Sequence, residues 1–258
     1  MKLGELLRNL DVLDASAAMD MEIGGVSYDS RKTQPGDLFV AIRGFESDGH
    51  KFIPAAMARG AAAVLCEEAP SDGTPYVRVA DCRKGLAYVS REFFGDPAKE
   101  MTLIGITGTS GKTTSSYLIK HMLEMKLDAK VGLIGTNGNM IGSECLHSDH
   151  TTPESYELHK LFRRMADEGC THVVMEVSSH ALALERVAGI EYDVGVYTNL
   201  SQDHLDLHGT MEEYAAAKRL LFRQCKLGCL NADDKWTDFM LNGATCKAMT
   251  FSAESDSA

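Results

Sequence analysis

Apolar and polar positions come in alternating blocks along this chain, and the blocks predict strands and helices in turn. Leu3, Leu6, Leu7 and Leu10 fall at helical spacing, so the stretch 2–10 reads as an amphipathic helix. A strand is expected over 23–28. The Pro35-Gly36 turn signal then precedes an uninterrupted apolar run, 38–42, that reads as a buried strand. A helix over 52–60 and strands over 62–66 and 76–79 follow, and Asp81 is placed to cap a helix running to about 94. Gly95-Asp96-Pro97 breaks the pattern. The boundary between two domains is expected near 97–100, giving 1–98 and 99–258.

The second part predicts a strand over 101–106, a helix over 112–126 and a strand over 129–134. After a Gly-rich polar loop come a helix over 153–168, strands over 171–177 and 193–198, a helix over 211–223 and a strand over 227–230. The final residues, AESDSA, read as disordered. Strands separated by helices favour a mainly parallel sheet with right-handed crossovers, which binds ligands beyond the C-terminal ends of its strands. The expected fold class is α/β: a small N-terminal α/β domain, then a mainly parallel sheet domain of the phosphate-loop type.

Composition changes this picture little. At 258 residues, 44% hydrophobic and 24% charged, the chain is that of a soluble globular protein. No apolar run reaches the roughly 20 residues that span a bilayer. The first residues lack the apolar core and small-residue cleavage site of a signal peptide. The seven cysteines include no C-x-x-C pair. Reduced thiols and a cytoplasmic location are expected. A net charge of −11 argues against a nucleic-acid surface, which needs a basic stripe. An anionic nucleotide is still admissible where metal ions and local cations neutralise its phosphates.

Three polar clusters lie at the ends of predicted strands. The first is TGTSGKTT, 107–114, between an apolar strand and a helix. Amide groups at a helix start lack intrahelical partners and face a favourable dipole for anions. Gly108 and Gly111 allow close backbone approach, Lys112 adds a point charge, and Thr113 puts a hydroxyl where the Mg²⁺ of a nucleotide would sit. The usual G-x-x-x-x-G-K-[ST] spacing would need glycine at 106, which is Ile106; the first glycine is Gly105. A ligand-free Gly-rich turn leaves the lysine and hydroxyls unexplained, so the loop is read as a nucleotide phosphate site.

The second cluster is Glu176-Val177-Ser178-Ser179-His180, where a carboxylate can hold a metal ion and a serine can cap a helix. The third runs from Thr198 to Gly209 and includes His204 and His208, four apart. That spacing invites a zinc reading. With no intervening Glu and no cysteine nearby, one imidazole on Mg²⁺ beside carboxylates is preferred, a hydrogen-bonding loop histidine being the plain alternative. Lys218 follows in a strongly helical run flanked by small residues, and physics alone makes it a solvated helix lysine.

In this order the clusters resemble the Mur ligase family, ATP-dependent enzymes that build the peptide stem of the bacterial cell wall. The carrying motifs are TGTSGKTT (107–114), TNLSQDHLDLHGTMEEYAAAKRLLF (198–222) and NADD (231–234). YDSRKTQPGDLFVAIRG (28–44), DGHKFI (48–53), TTPE (151–154) and MEVSSHALALERV (175–187) are similar to the branch that adds the third-position diamino acid.

The resemblance implies a UDP-MurNAc-binding domain over 1–98, an ATP-binding domain over 99–258, and a further C-terminal domain beyond this chain. Tyr28 and Ser30, with the loop 45–47, would hold the UDP end. Thr151, Thr152, Ser178 and Arg186 would bind the muramoyl-dipeptide. Gly108, Thr109, Ser110, Gly111, Lys112, Thr113 and Thr114 would bind ATP phosphates, with Thr113 on a first Mg²⁺ and Glu176 and His204 on a second. Lys218 matches the lysine that CO₂ carbamylates in this family, turning an ammonium into a carboxylate-like metal ligand. Lys112, Lys218 and His204 would then be the catalytic residues.

Ser110 stands in place of the usual Asn. The implied substrates are UDP-MurNAc-L-Ala-D-Glu and a diamino acid, meso-diaminopimelate in preference to L-lysine, acted on by a cytoplasmic monomer with no membrane or nucleic-acid partner. A nucleotide-hydrolysing switch and a non-catalytic nucleotide-sugar module are the rival classes. The first would end its strand in Asp where this chain has Glu176.

Overall fold

The computed structural model describes residues 1–44 and 47–254. The chain forms two compact units, Met1–Asp96 and Pro97–Ala258.

The first unit runs α1 (Leu3–Leu6), β1 (Asp14–Ala15), β2 (Gly25–Ser27), β3 (Asp37–Val40), α2 (Ile53–Ala58), β4 (Ala63–Cys66), β5 (Tyr76–Arg78) and α3 (Cys82–Phe93). Its five strands are ordered β1-β5-β4-β3-β2, parallel apart from the β1–β5 pair. Every residue of β3 and β4 is buried, as continuous apolar runs in a parallel sheet require. Asp81 caps α3 by accepting from the amides of Arg83 and Lys84. The predicted helix over 2–10 is only one α turn. The Leu10 amide donates to the Leu7 carbonyl, a tightened three-residue turn that keeps Leu7 inside while the chain leaves toward β1.

The second unit runs β6 (Thr102–Thr107), α4 (Lys112–Leu127), β7 (Val131–Ile134), β8 (Asn139–Ile141), β9 (Glu144–Leu146), α5 (Ser155–Asp167), β10 (His172–Glu176), α6 (Ser179–Ala183), β11 (Tyr192–Tyr197), α7 (Leu205–His208), α8 (Met211–Arg219), β12 (Cys225–Asn231), α9 (Thr237–Leu241) and β13 (Lys247–Phe251). Its eight strands are ordered β13-β12-β11-β6-β10-β7-β8-β9. All neighbours are parallel except the β7–β8–β9 meander. This is the α/β, mainly parallel architecture expected.

The details differ: the short helices α6 and α7 were not among the predicted elements. The polar loop after β7 contains a hairpin, whose three-residue strands are too short to show a period. The helix over 211–223 becomes 3₁₀ from Leu220 to Arg223, which swings Leu221 and Phe222 into the core. α9 and β13 lie beyond the last predicted strand.

Strand β6 lies at the centre, with β10 on one side and β11 on the other. The chain reaches β7 and β10 on the first side and then crosses to β11. The C-terminal ends of β6, β10 and β11 therefore border a topological switch point, the crevice where such sheets bind ligands. One face packs the larger core, with Phe162, Met175, Tyr192, Tyr197, Tyr214 and Phe222 buried under α5, α6, α8 and α9. On the other, Ile104, Ile106, Val131 and Val174 pack against Ile119 and Leu123 of α4.

Candidate functional site

The sequence after β6 folds into a tight loop because two glycines adopt backbone shapes closed to other residues. Gly108 has φ 152° and Gly111 φ 84°. A methyl group on Gly108 would overlap the Thr198 hydroxyl, so this position admits no side chain. Gly111 is the N-cap of α4, leaving Lys112 and Thr113 in its first turn. Lys112 folds back over the loop, its Nζ donating to the carbonyls of Gly108 and Thr109 at 2.8 Å each. Burial holds its ammonium below the usual lysine range.

The loop is clamped by the segment after β11. The Ser110 amide donates to Asn199 Oδ1 at 3.0 Å, and Asn199 Nδ2 and Thr198 Oγ1 donate to the Ser110 carbonyl at 3.1 and 2.7 Å. The Thr109 amide reaches the Asn199 carbonyl at 2.9 Å, and the Ser201 amide donates to Thr109 Oγ1 at 3.0 Å. At Ser110 these contacts are made by its backbone.

Glu176, at the end of β10, is 1% exposed. Its Oε2 accepts from Thr113 Oγ1 at 3.0 Å and Thr136 Oγ1 at 3.1 Å, and its Oε1 accepts from the Thr136 amide at 3.0 Å. Gly135 makes room for it, since a methyl group there would overlap Oε1. A buried carboxylate beside a phosphate-loop hydroxyl is a hard oxygen donor set that fits Mg²⁺, which takes one or two carboxylates and completes its shell with phosphate and water. Among the described residues no three His, Cys, Asp or Glu side chains are grouped so as to hold a metal ion.

The Thr136 hydroxyl also meets Thr151 Oγ1 at 3.0 Å. Thr152 Oγ1 donates to the Glu176 carbonyl at 2.8 Å and accepts from the Ser178 amide at 3.1 Å. Arg186 Nη1 donates to the Thr152 carbonyl at 3.2 Å, while Glu154 pairs with Arg186 Nε. Thr151, Thr152, Ser178 and Arg186 thus adjoin the Glu176–Thr113 pair. Ser178 serves as a cap as well, taking the Ala181 amide at 3.1 Å to start α6.

Lys218 is 1% exposed, not solvated. Its Nζ donates to the Gly108 carbonyl at 2.8 Å, sharing that acceptor with Lys112, and sits 4.4 Å above the Tyr214 ring. Burial, and secondarily the charge of Lys112, bring its pKa down to about 7. Tyr214 is the hub of this side. Its hydroxyl lies 3.2 Å from Thr109 Oγ1, its ring stacks on His208 at 5.1 Å, and His204 meets it edge-on at 6.1 Å.

His204 holds φ 50° at the start of α7, with Asp203 3.4 Å from its Nε2. His208 bonds Ser179 Oγ at 2.9 Å, so the two histidines four apart serve different partners. Burial lowers the His180 and His208 pKa values, each reinforced by a neighbouring imidazole. The geometry therefore pairs Thr113 with Glu176, and gathers His204 and Lys218 around Tyr214.

Tyr28 and Ser30 lie in the first unit, on the turn after β2, where Asp29 takes the amide and guanidinium of Arg31. Phe45 and Glu46, of the loop expected at the uridine, are outside the described residues. Sequence reasoning missed Thr136, the Thr198–Asn199 clamp and Tyr214. The signal for Thr136 was its place just past a strand end on the ligand edge of the sheet.

A description of the Mur ligase middle domain matches residues 106–258, and one of the Mur ligase family catalytic domain matches 22–98. The chain belongs to the Mur ligase family. The UDP-N-acetylmuramoyl-L-alanyl-D-glutamate--2,6-diaminopimelate ligase of Chlorobium phaeobacteroides is 47% identical over 251 residues, covering 94% of this chain and 49% of that protein. The Clostridium perfringens protein of the same name is 43% identical over 264 residues, covering 100% of this chain and 54% of its own length. A solved structure of a ligase with this name superposes with a TM-score of 0.87 at 31% identity, covering all of this chain and 53% of the other. The chain thus spans about half the length of these Mur ligase relatives. No helix among the described residues is long and apolar enough to cross a membrane.

Proposed function

We propose that this chain carries the nucleotide-sugar and ATP sites of a ligase. The reaction is addition of a diamino acid, meso-diaminopimelate rather than L-lysine, to UDP-MurNAc-L-Ala-D-Glu. Supporting the reading is one juxtaposition: a lysine-bearing phosphate loop, a buried glutamate on its threonine, and a Thr-Ser-Arg cluster sharing Thr136 with that glutamate. The 2,6-diaminopimelate in the relatives' names supports the choice of amino acid.

A carboxylate of the dipeptide attacks the γ-phosphorus of ATP and ADP leaves; the incoming amine then displaces phosphate from the acyl phosphate to form the amide. Attack brings two anions together, so the chain's work is positioning and charge. Loop amides and Lys112 take the phosphates, while Thr151, Thr152, Ser178 and Arg186 hold the acceptor end. Thr113, Glu176, His204 and Lys218 as its carbamate would hold Mg²⁺, which offsets charge on the phosphate oxygens when bound. A pKa near 7 leaves Lys218 largely able to present a neutral amine, whose lone pair bonds the carbon of CO₂ and whose N–H proton is lost. Residues 1–98 would bind the UDP end through Tyr28 and Ser30, and the protein is read as a cytoplasmic monomer.

Titrating UDP-MurNAc-dipeptide and Mg²⁺-ATP separately into this chain by calorimetry tests the reading. Both are expected to bind with one-to-one stoichiometry. Nucleotide binding with no sugar-nucleotide binding would leave a hydrolase-type switch and overturn the ligase reading.

A further inference from the structure

The NADD motif, 231–234, touches none of the residues assigned above to phosphate, metal or acceptor, yet it holds the segment that holds the loop. Asp234 spends its whole carboxylate on this. Oδ1 accepts from the Tyr197 hydroxyl at 2.8 Å and the Trp236 amide at 2.9 Å, and Oδ2 accepts from the Leu200 amide at 3.0 Å. Asn231 adds a second tie, its Nδ2 donating to the Thr198 carbonyl at 2.9 Å while its Oδ1 takes the Asp233 amide at 3.0 Å. The segment 198–201 is thereby fixed at Thr198 and at Leu200, and between and beside those points it contacts Thr109 and Ser110.

We infer that Asp234 and Asn231 are positioning residues for nucleotide binding, setting the phosphate loop from behind through residues 198–201. Two layers of hydrogen bonds separate the Asp234 carboxylate from the loop amides. The first joins Asn231, the last residue of β12, and Asp234, in the turn after it, to the end of β11 and the segment beyond, and the second joins that segment to the loop. The outer layer is anchored on a rigid element: Tyr197 is fully buried and ends β11, in register with Leu230 of β12. Asn at 234 keeps the shape but offers one acceptor oxygen in place of two, so it cannot serve the Leu200 amide together with the Trp236 amide and Tyr197 hydroxyl.

The inference rests on the loop being the nucleotide site, so the test reads the loop and the ligand separately. Asp234→Asn in the 258-residue chain is expected to weaken Mg²⁺-ATP binding by calorimetry at least tenfold. It should speed hydrogen exchange at the amides of Thr109, Ser110 and Ser201, leaving Leu103 unchanged. Asp193→Asn is the control, since Asp193 accepts the Leu103 amide at the opposite end of β6 and should leave ATP affinity as it is. Tyr197→Phe removes one of the three donors and is expected to act in the same direction by a smaller factor, which keeps the inference testable should Asp234→Asn fail to fold.

Unchanged loop exchange in Asp234→Asn, or acceleration spread evenly over the sheet, would overturn the positioning role. If the unmodified chain binds no ATP, the nucleotide reading fails, and the exchange pattern alone still decides whether Asp234 sets the loop.

Discussion

Lys218 shows how far a residue's setting can depart from its type. Its folded pKa, about 7, lies below the ordinary lysine value of 10.5 because burial disfavours the ammonium. Between those values the unfolded chain binds more protons than the folded one, so this lysine's contribution to stability rises with pH across that window. Below about pH 7 the cost of burying the charge is fully present. Lys218→Met, similar in volume and free of charge, should therefore be more stable than the parent at pH 6.5, with the gap narrowing by about 2.5 kcal/mol at pH 9. Urea midpoints in CO₂-free buffer measure this, and a gap independent of pH would contradict it. The sequence marked Lys218 only through its family motif, because nothing in the run of small residues announces that its helix face turns inward. Glu176 was legible by contrast: a carboxylate ending an apolar strand on the ligand edge has little other reason to be there.

Helix α8 carries Lys218 and Tyr214, so its first turn bears on the site. Thr210 caps it, accepting the Glu213 amide at 3.1 Å. Thr210→Ala is expected to cost about 1 kcal/mol, a fall of roughly 2–4 °C in Tm by calorimetry, with the helix otherwise kept. An unchanged Tm would show that tertiary packing alone fixes this helix end. Elements carried by an unbroken apolar run or a sustained period were readable from sequence: β3, β4, β6, α4, α5 and β10 all lie where the apolar runs place them. Short elements without such a run were not. β8, β9 and α7 have too few residues to express a period, and their positions depend on partners distant in sequence, as His208 depends on Ser179. The helix over 2–10 failed for a related reason, since apolar spacing does not distinguish an α turn continued from one tightened and ended.

At the scale of the whole molecule, each unit has a sheet and core of its own. Two unfolding transitions are expected in calorimetry. Mg²⁺-ATP should stabilise the second unit alone, by about 2.7 kcal/mol at a hundredfold excess over Kd. One merged transition moved as a whole by ATP would refute independent cores.

The two lysines on the Gly108 carbonyl also bear on how any nucleotide enters. Before a phosphate arrives, the loop is already engaged by its own side chains. The Gly108 and Thr109 carbonyls are tethered, so they compete with phosphate for the Lys112 ammonium at an effective concentration far above that of a free ligand. An observed affinity is then the difference between phosphate contacts made and internal bonds given up. Replacing Lys112 by methionine removes the phosphate contact together with the carbonyl bonds given up to make it, so the affinity it loses understates the strength of the lysine–phosphate bond.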